Sequence, residues 1–294
     1  MCPHHDSFDR PSLGFLTWKA PQTLRNTLQS WSSVDPSLFS ERFVFCQELD
    51  PRETRCAEEY GYTVVGRREN LGIQGGFKAM AAHGSSSCLL LLENDCMLAC
   101  AAESAAAQIT AAVRALADNL VVAMKLERQR LPDDASWHPP SRFKRYWGLP
   151  GKDTPGHRLR RLLRPIEARS TIGWSIAATP CPEIHFPDAV TRHPDGFFQT
   201  SSRFIAWSNR GIMISKSWFL NTLLPFADAH PGRHKVNGKD DLEVPVNCPA
   251  HRRWWREQAF PVGWMTPGLT VHHRLDRTSE DEKGPYRPPI EPSR

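Results

Sequence analysis

A run of leucines ends abruptly in acidic and amide residues at Leu89–Asp95. An apolar run of this length, bounded by polar residues, is typical of a fully buried strand. Side chains alternate along a strand, so Glu93 and Asp95 can point the same way. Ligands bind beyond the carboxyl ends of strands in open α/β sheets, and paired carboxylates there suit Mg²⁺ or Mn²⁺. The alternative is a strand that ends in solvated acids.

Two polar segments in the second half could also carry chemistry. Gly238–Glu243 places acids at the start of a predicted helix, where the helix dipole alone would favour them. Thr270–Arg274 contains adjacent histidines, which point to opposite faces of an extended segment, so only one is expected in a site. Imidazole is an acceptable Mn²⁺ ligand, and His272 is the favoured candidate. The alternative is a partly buried histidine that bonds to the backbone.

Strand and helix patterns alternate before the leucine run. Pro21 stands near the first position of a predicted helix, and Asp50–Glu53 reads as the start of a second one. A glycine-rich loop, Asn70–Gly76, precedes a helix that carries Lys78. This alternation with short connections predicts a parallel sheet. The predicted strands that precede the leucine run are Gly14–Thr17, Phe43–Cys46 and Tyr62–Val65.

Three short motifs follow one another along the first half: Thr17–Pro21, Asn70–Gly72 and Glu93–Asp95. Their order and spacing resemble those of the nucleotide-sugar glycosyltransferases of GT-A fold, most closely family 2. The family motifs are a Thr followed by Pro, Asn-x-Gly and Asp-x-Asp, and Glu93 replaces the first Asp here. The resemblance implies an α/β fold with a mostly parallel, Rossmann-like central sheet flanked by helices.

The resemblance also implies a donor site for a nucleoside-diphosphate sugar. Residues after the first strand would line the base pocket, those after the second would contact the nucleoside, and the Asn-x-Gly loop would lie near the ribose and diphosphate. Lys78 would reach a phosphate, unless it is a solvated helix lysine. The implied donor-site residues are Thr17, Lys19, Pro21, Gln47, Glu48, Asn70, Gly72, Lys78, Glu93 and Asn94.

The same resemblance implies which residues would bind the metal ion and which would act as the catalytic base. Asp95 is the expected direct ligand of Mn²⁺ or Mg²⁺, with Glu93 at the ribose or at a water on the metal, and His272 as a further ligand. The family places an acidic pair near Gly238–Glu243, and one member acts as the base. Asp241 is expected in this role, with Asp240 second. Family members invert the anomeric centre, and UDP is the commonest nucleotide among them.

Composition is consistent with one GT-A domain. The chain has 294 residues and a hydrophobic fraction of 40%, without a run of transmembrane length or an apolar signal segment. Its eight cysteines form no CxxC pair, which favours reduced thiols and a cytoplasmic location. The predicted divisions are a flexible N-terminus (1–11), a nucleotide-sugar-binding half (12–125), a basic and aromatic insertion (126–200), an acceptor-binding half (201–276) and a disordered tail (277–294).

The segment from Lys125 to Arg169 contains twelve Lys or Arg and five acids. Apolar residues at helical spacing among the arginines of 158–169 predict a basic amphipathic helix that contacts an anionic membrane surface and a lipid-linked acceptor. The alternatives are a phosphorylated acceptor, nucleic acid, which is not expected, or a helix packed on the domain with a solvated basic face. Trp137, Tyr146 and Trp147 could stack on an acceptor sugar or serve packing.

The resulting prediction is a metal-dependent glycosyltransferase that acts on a glycan, a lipid-linked or another hydroxyl acceptor. One alternative is a GT-A-like binding module with decayed chemistry, because Glu93 departs from the motif and the usual nucleoside Asp is missing. A sugar-phosphate nucleotidyltransferase is less favoured, because Thr17–Pro21 lacks the glycines that hold a triphosphate in such enzymes.

Overall fold

The computed structural model describes residues 9–128, 141–148, 153–232, 235 and 238–273. Within these ranges the chain forms an α/β fold with a large central sheet and a separate two-stranded ribbon. The strands are β1 Ser12–Thr17, β2 Glu41–Gln47, β3 Thr63–Arg67, β4 Cys88–Glu93, β5 Cys96–Leu98, β6 Ala123–Lys125, β7 Val190–Arg192, β8 Phe197–Ser201, β9 Ile212–Ser215, β10 Pro261–Met265 and β11 Thr270–His272.

The central sheet has the order β3-β2-β1-β4-β9-β6-β10-β8-β7 among the described residues. Strands β1 to β4 are parallel, and β6 and β10 continue in the same direction. Two strands run the opposite way: β9, between β4 and β6, and β8, between β10 and β7. The ribbon pairs β5 with β11 in antiparallel fashion. The predicted α/β class with a mostly parallel sheet is confirmed.

The leucine run forms β4 in the middle of the sheet, between β1 and β9. Leu90 and Leu92 pack into a core on one face, whereas Leu89 and Leu91 pack into a core on the other. A strand that is buried on both faces needs apolar residues at every position, which explains the continuous run.

Helices cover both faces of the sheet, with α1, α2 and α4 on one face and α3 and α10 on the other. The predicted helix starts are confirmed, since Pro21 and Pro51 are first residues and the Asp50 carboxylate caps α2. The helices are α1 Pro21–Trp31, α2 Pro51–Glu59, α3 Gly72–His83, α4 Ala102–Ala117, α5 Ser141–Tyr146, α6 Pro155–Leu163, α7 Pro165–Arg169, α8 Pro182–His185, α9 Lys216–Trp218, α10 Leu224–Ala229, α11 Glu243–Asn247 and α12 Arg252–Gln258.

The segment predicted as a basic insertion contains α5 to α8, and its last part, β7 and β8, joins the central sheet. The predicted amphipathic helix is two short helices, because Pro165 begins a new one. The expectations for Trp137, residues 1–8 and 274–294 lie outside the described residues. No helix in the described ranges is long and apolar enough to cross a membrane.

Candidate active site at the carboxyl edge of the sheet

The carboxyl ends of the parallel strands gather the candidate residues at one edge. Strands β1, β2 and β4 end at Thr17, Gln47 and Glu93. Strand β9 runs antiparallel to β4, so the segment that precedes Ile212 reaches the same edge. The antiparallel insertion of β9 therefore brings the acceptor-side candidates of the second half next to the donor-side candidates of the first half.

A buried carboxylate joins the first motif to the acidic motif. The Thr17 hydroxyl donates to Glu53 Oε1 at 2.6 Å and accepts from Asn94 Nδ2 at 3.1 Å. The Ala20 amide donates to the same Glu53 oxygen at 2.9 Å. Burial raises the pKa of the Glu53 carboxyl. These bonds fix the loop after β1 and the turn after β4 relative to each other, and sequence analysis did not predict this role for Glu53.

Residues of the loops after β1 and β2 interact at the edge. Lys19 and Glu48 form an ion pair with an N–O distance of 2.7 Å, and both residues have positive φ. Gln47 is buried and its Oε1 accepts from the Leu71 amide at 2.7 Å. Pro21 begins α1 directly behind this loop. The predicted nucleoside-side residues thus lie together, at the point where β1 and β2 end.

The Asn-x-Gly loop contacts the acidic segment of the second half. Asn70 Oδ1 accepts from the Gly72 amide at 2.8 Å, and the Gln74 amide donates to the Asp240 carbonyl at 3.3 Å. Gly72 has a φ of +72°, and a Cβ there would lie 2.5 Å from the Lys239 Cβ. The close approach of these two segments requires the glycine.

Lys78 forms an ion pair within the fold. Its Nζ lies 2.6 Å from Asp228 Oδ2, and Gln74 Nε2 donates to the other oxygen of Asp228 at 2.8 Å. The pair connects α3 to α10, which favours a structural role for Lys78 over the predicted phosphate contact.

Two of the predicted metal residues, Asp95 and His272, meet at the ribbon. Asp95 Oδ1 lies 3.3 Å from His272 Nδ1, and the His273 amide donates to the Asp95 carbonyl at 2.8 Å. Cys96 is the register partner of His272, and its Sγ lies 3.6 Å from His272 Nε2. Donor atoms of Asp95, Cys96 and His272 lie within 4.8 Å of one another. The residue types suit a divalent cation, but Asp95 and Cys96 approach different ring nitrogens of His272, so an ion held by all three would contact only one of those nitrogens.

The pKa values of two residues in this cluster, His272 and Cys96, are raised. Burial disfavours protonated His272, but Cys96 and the Asp95 carboxylate outweigh it and raise the pKa of His272. Burial raises the pKa of the Cys96 thiol. A sulfur ligand is softer than the oxygen ligands that Mg²⁺ prefers, so the set tolerates Mn²⁺ and favours softer ions such as Zn²⁺.

The two acids expected as base have different surroundings. Asp241 Oδ1 accepts from Asn209 Nδ2 at 3.1 Å, and burial, followed by the nearby Glu243 carboxylate, raises the pKa of Asp241. Asp240 is more exposed and forms an ion pair with Lys235. The Asn209 amide in turn donates to Glu243 Oε1 at 2.8 Å. Asp241 is thus the better oriented of the two.

No protein-family model matches the chain, and no curated protein matches it in sequence. Among solved structures, glucosyl-3-phosphoglycerate synthase from Mycobacterium tuberculosis with Mn²⁺, UDP and phosphoglyceric acid matches 91% of this chain and 72% of its own, at 11% identity and a TM-score of 0.47. Mannosyltransferase PcManGT from Pyrobaculum calidifontis with GDP-Man and Mn²⁺ matches 41% of this chain and 36% of its own, at 14% identity and a TM-score of 0.34. S. aureus TarS 1-349 with UDP-GlcNAc matches 46% of this chain and 38% of its own, at 15% identity and a TM-score of 0.34.

These three structures are GT-A glycosyltransferases, the class that the sequence resembles. Their low identities and TM-scores assign no donor, acceptor or residue role to this chain. Any functional assignment therefore rests on the chain's own residues.

Sequence analysis missed three polar groups near the site: Glu53, Cys96 and Lys125. Cys96 adjoins Asp95, but its proximity to His272 depends on the pairing of β5 with β11, which the local pattern does not show. Lys125 ends β6 and is 2% exposed, with its Nζ 4.2 Å from the ring centre of Trp174 and 4.3 Å from that of Trp264. A lysine that ends a strand looks like a surface residue in the sequence, so nothing there indicated its burial.

Proposed function

We propose that this protein is a metal-dependent glycosyltransferase that moves a sugar from a nucleoside-diphosphate donor to an acceptor hydroxyl. The supporting observation is that one sheet edge holds both Asp95 with His272 and Asp241 with Asn209. The first pair suits a divalent ion and the second suits a general base, and sugar transfer from a diphosphate needs both functions. UDP is the expected nucleotide on the sequence resemblance alone.

Asp95 and His272 would hold the divalent ion, with Mn²⁺ better suited than Mg²⁺ to a site that adjoins the Cys96 thiol, and Glu93 would contact the ribose or a water on the ion, as the resemblance implies. When bound, the ion supplies Lewis-acid stabilisation of charge on the leaving diphosphate. The chain orients its ligands through the backbone, since Trp31 Nε1 donates to the Cys96 carbonyl at 3.0 Å and the His273 amide donates to the Asp95 carbonyl. Ligand positions fixed in this way reduce reorganisation when the donor binds.

The donor nucleotide would lie over the loops that follow β1, β2 and β3. Lys19 and Glu48 are exposed enough to contact a base or ribose, whereas the buried Thr17, Gln47 and Asn94 hold the loops in place. Asn70 and Gly72 shape the turn before α3. The buried residues would therefore position the donor site, and the exposed pair would contact the nucleotide.

Asp241 would act as the general base on the acceptor hydroxyl. Its carboxylate takes the hydroxyl proton while the acceptor oxygen forms its bond to the anomeric carbon and the bond to the diphosphate breaks. A raised pKa makes a carboxylate a stronger base, and Asn209 orients it. Inversion of the anomeric centre is the outcome that the family resemblance implies.

We further propose a cytoplasmic protein that contacts an anionic membrane surface through the apolar side of α6 and α7. Leu159, Leu162, Leu163 and Ile166 are 56%, 77%, 69% and 60% exposed, so this side is not packed on the domain. Exposed aliphatic residues beside arginines favour an interfacial position. Co-sedimentation with phosphatidylglycerol vesicles tests this, and equal retention of wild type and a Leu162→Ser, Leu163→Ser variant would contradict it.

The proposed function is tested by calorimetric titration of UDP, GDP and CDP, each with and without Mn²⁺. We expect one nucleotide to bind only with the metal, and Asp95→Asn to abolish that binding. Asp118→Asn is a matched control, because Asp118 is an exposed residue at the end of α4. Absence of metal-dependent nucleotide binding in folded wild type would reject the glycosyltransferase proposal.

A further inference from the structure

A basic cavity of about 300 Å³ opens between α5, α7 and α12. Its described lining includes arginines from three separate segments and a single acid. Tyr146, Trp174 and Trp255 supply aromatic walls. The charged lining residues are Arg145, Arg164, Glu167, Arg252 and Arg256.

Four arginines and one acid are the charged residues among the described lining of this cavity. Arg252 Nη2 pairs with Glu167 Oε1 at 3.0 Å, which accounts for the one acid in the lining. Arg256 Nη1 is buried without a hydrogen-bond partner among the described residues. Burial and the neighbouring Arg252 charge lower the pKa of the Arg256 guanidinium. A buried donor without an acceptor is costly, and an anion in the cavity would offset that cost.

The cavity is connected to the proposed base through a short series of contacts. Asn247 lines the cavity and exchanges two hydrogen bonds with the Trp207 backbone, at 3.0 and 2.8 Å. Trp207 Nε1 donates to Asn209 Oδ1 at 2.8 Å, and Asn209 Nδ2 donates to Asp241. The cavity therefore lies next to the segment that holds Asp241, in the half of the chain proposed to bind the acceptor.

We propose that this cavity binds a phosphate group, and that this phosphate belongs to the sugar acceptor. Guanidinium groups that approach from three segments match the tetrahedral oxygens of phosphate better than a planar carboxylate, which one arginine can hold from one side. The phosphate would anchor the acceptor while its hydroxyl extends toward Asp241. Only the assignment to the acceptor rests on the proposed function; the phosphate site itself stands on the cavity.

Calorimetric titration with inorganic phosphate, glycerol phosphate and acetate tests the site. Wild type is expected to bind both phosphates and not acetate. Arg256→Met should weaken phosphate binding by about tenfold or more, as expected for loss of a charge-assisted hydrogen bond. Arg164→Met provides a second, exposed cavity variant that should also weaken binding.

Arg253→Met is the matched control, because Arg253 lies on the same helix, is 79% exposed and pairs with Glu257. It should leave phosphate affinity unchanged. Absence of phosphate binding in wild type, or equal losses in the Arg253 and Arg256 variants, would overturn the phosphate site. Vesicles that contain phosphatidic acid distinguish the sources: retention lost in Arg256→Met indicates a lipid headgroup, whereas binding of glycerol phosphate alone indicates a soluble acceptor.

The same titrations separate this inference from the proposed function. Asp95→Asn should lose UDP binding and keep phosphate binding. Arg256→Met should keep UDP binding and lose phosphate binding. Wild type that binds phosphate but no nucleotide would reject the assignment to an acceptor and retain the site. Wild type that binds nucleotide but not phosphate would reject the site and retain the transferase.

Discussion

Gly72 offers a direct test of the contact between the Asn-x-Gly loop and the acidic segment. Its φ of +72° belongs to the left-handed region, and a Cβ there would lie 2.5 Å from the Lys239 Cβ and 3.0 Å from the Asp240 carbonyl. Alanine at this position therefore adds backbone strain and a steric clash. Because the Lys239 Cβ cannot move without its backbone and the other contact is the Asp240 carbonyl, the segment before Asp241 must move to relieve the clash.

The two effects can be estimated separately. The left-handed conformation costs an alanine about 1–2 kcal/mol, and overpacking against a filled site costs about 1–3 kcal/mol. Gly72→Ala should thus lower the free energy of unfolding by about 2–5 kcal/mol. Gly196→Ala is a matched control, because Gly196 has a φ of +83° and a Cβ added there would have no described atom within 4 Å. That variant should show the backbone cost alone.

Urea denaturation of wild type and both variants measures these losses, and calorimetry with UDP and Mn²⁺ measures the effect on the site. We expect Gly72→Ala to be the less stable variant and the only one with weakened nucleotide binding. Equal losses in the free energy of unfolding for the two variants would refute the steric argument. They would mean that the Asn-x-Gly loop and the acidic segment can move apart without loss of stability.

Three further predictions concern single side chains. Asp241→Asn should abolish sugar transfer while nucleotide binding persists, whereas Asp240→Asn should retain most turnover; transfer to a supplied acceptor and calorimetry measure the two properties. Lys125→Met should stabilise the protein by about 1–4 kcal/mol at neutral pH, because it removes a buried ammonium that lies between two aromatic rings and has no hydrogen-bond partner among the described residues. Burial lowers the pKa of Lys125 from its ordinary 10.5, so the folded state loses the Lys125 proton at a lower pH than the unfolded state does. The free energy of unfolding of wild type, relative to that of the variant, should therefore increase as the pH rises toward 10.5. Cd²⁺ should give sulfur-to-metal charge-transfer absorption in wild type that Cys96→Ser lacks, because thiolate is a preferred ligand of soft ions.

Each of these expectations has a contrary result. Normal transfer by Asp241→Asn would move the base to Asp240 or Glu243. A Lys125→Met variant that is less stable than wild type would mean that the ammonium has a favourable partner in the fold. Unchanged Cd²⁺ absorption in Cys96→Ser, with loss in Cys88→Ser, would place the ion away from the ribbon, since Cys88 lies at the start of β4.

Local patterns predicted the elements of the first half well. The leucine run became the central strand, and Pro21 and Asp50 mark helix starts, because burial on both faces and end capping depend on residues close in sequence. The amphipathic segment at 158–169 was less predictable. Its apolar spacing was recognised, but Pro165 divides it into two helices and its leucines remain exposed.

The polar contacts of the site could not be predicted from sequence patterns, because they depend on tertiary packing. Asp95 and His272 could be nominated by residue type, but their proximity follows from a ribbon whose strands are far apart in the chain. Glu53 looked like an ordinary acid in the first turn of α2, yet its side chain turns inward to Thr17. The arginines of the cavity come from segments that only tertiary packing brings together.

The position of β9 explains why donor and acceptor functions can share one edge. A parallel strand at this place would end, not begin, at the carboxyl edge and would carry Asn209 to the opposite side of the sheet. Because β9 is antiparallel to both β4 and β6, the segment before it arrives beside Glu93, and Asn209 can hold Asp241 there. The Gly72 contact then fixes the acidic segment against the donor loop. Nucleotide binding and orientation of the base should therefore be coupled, and a substitution at Gly72 should disturb both.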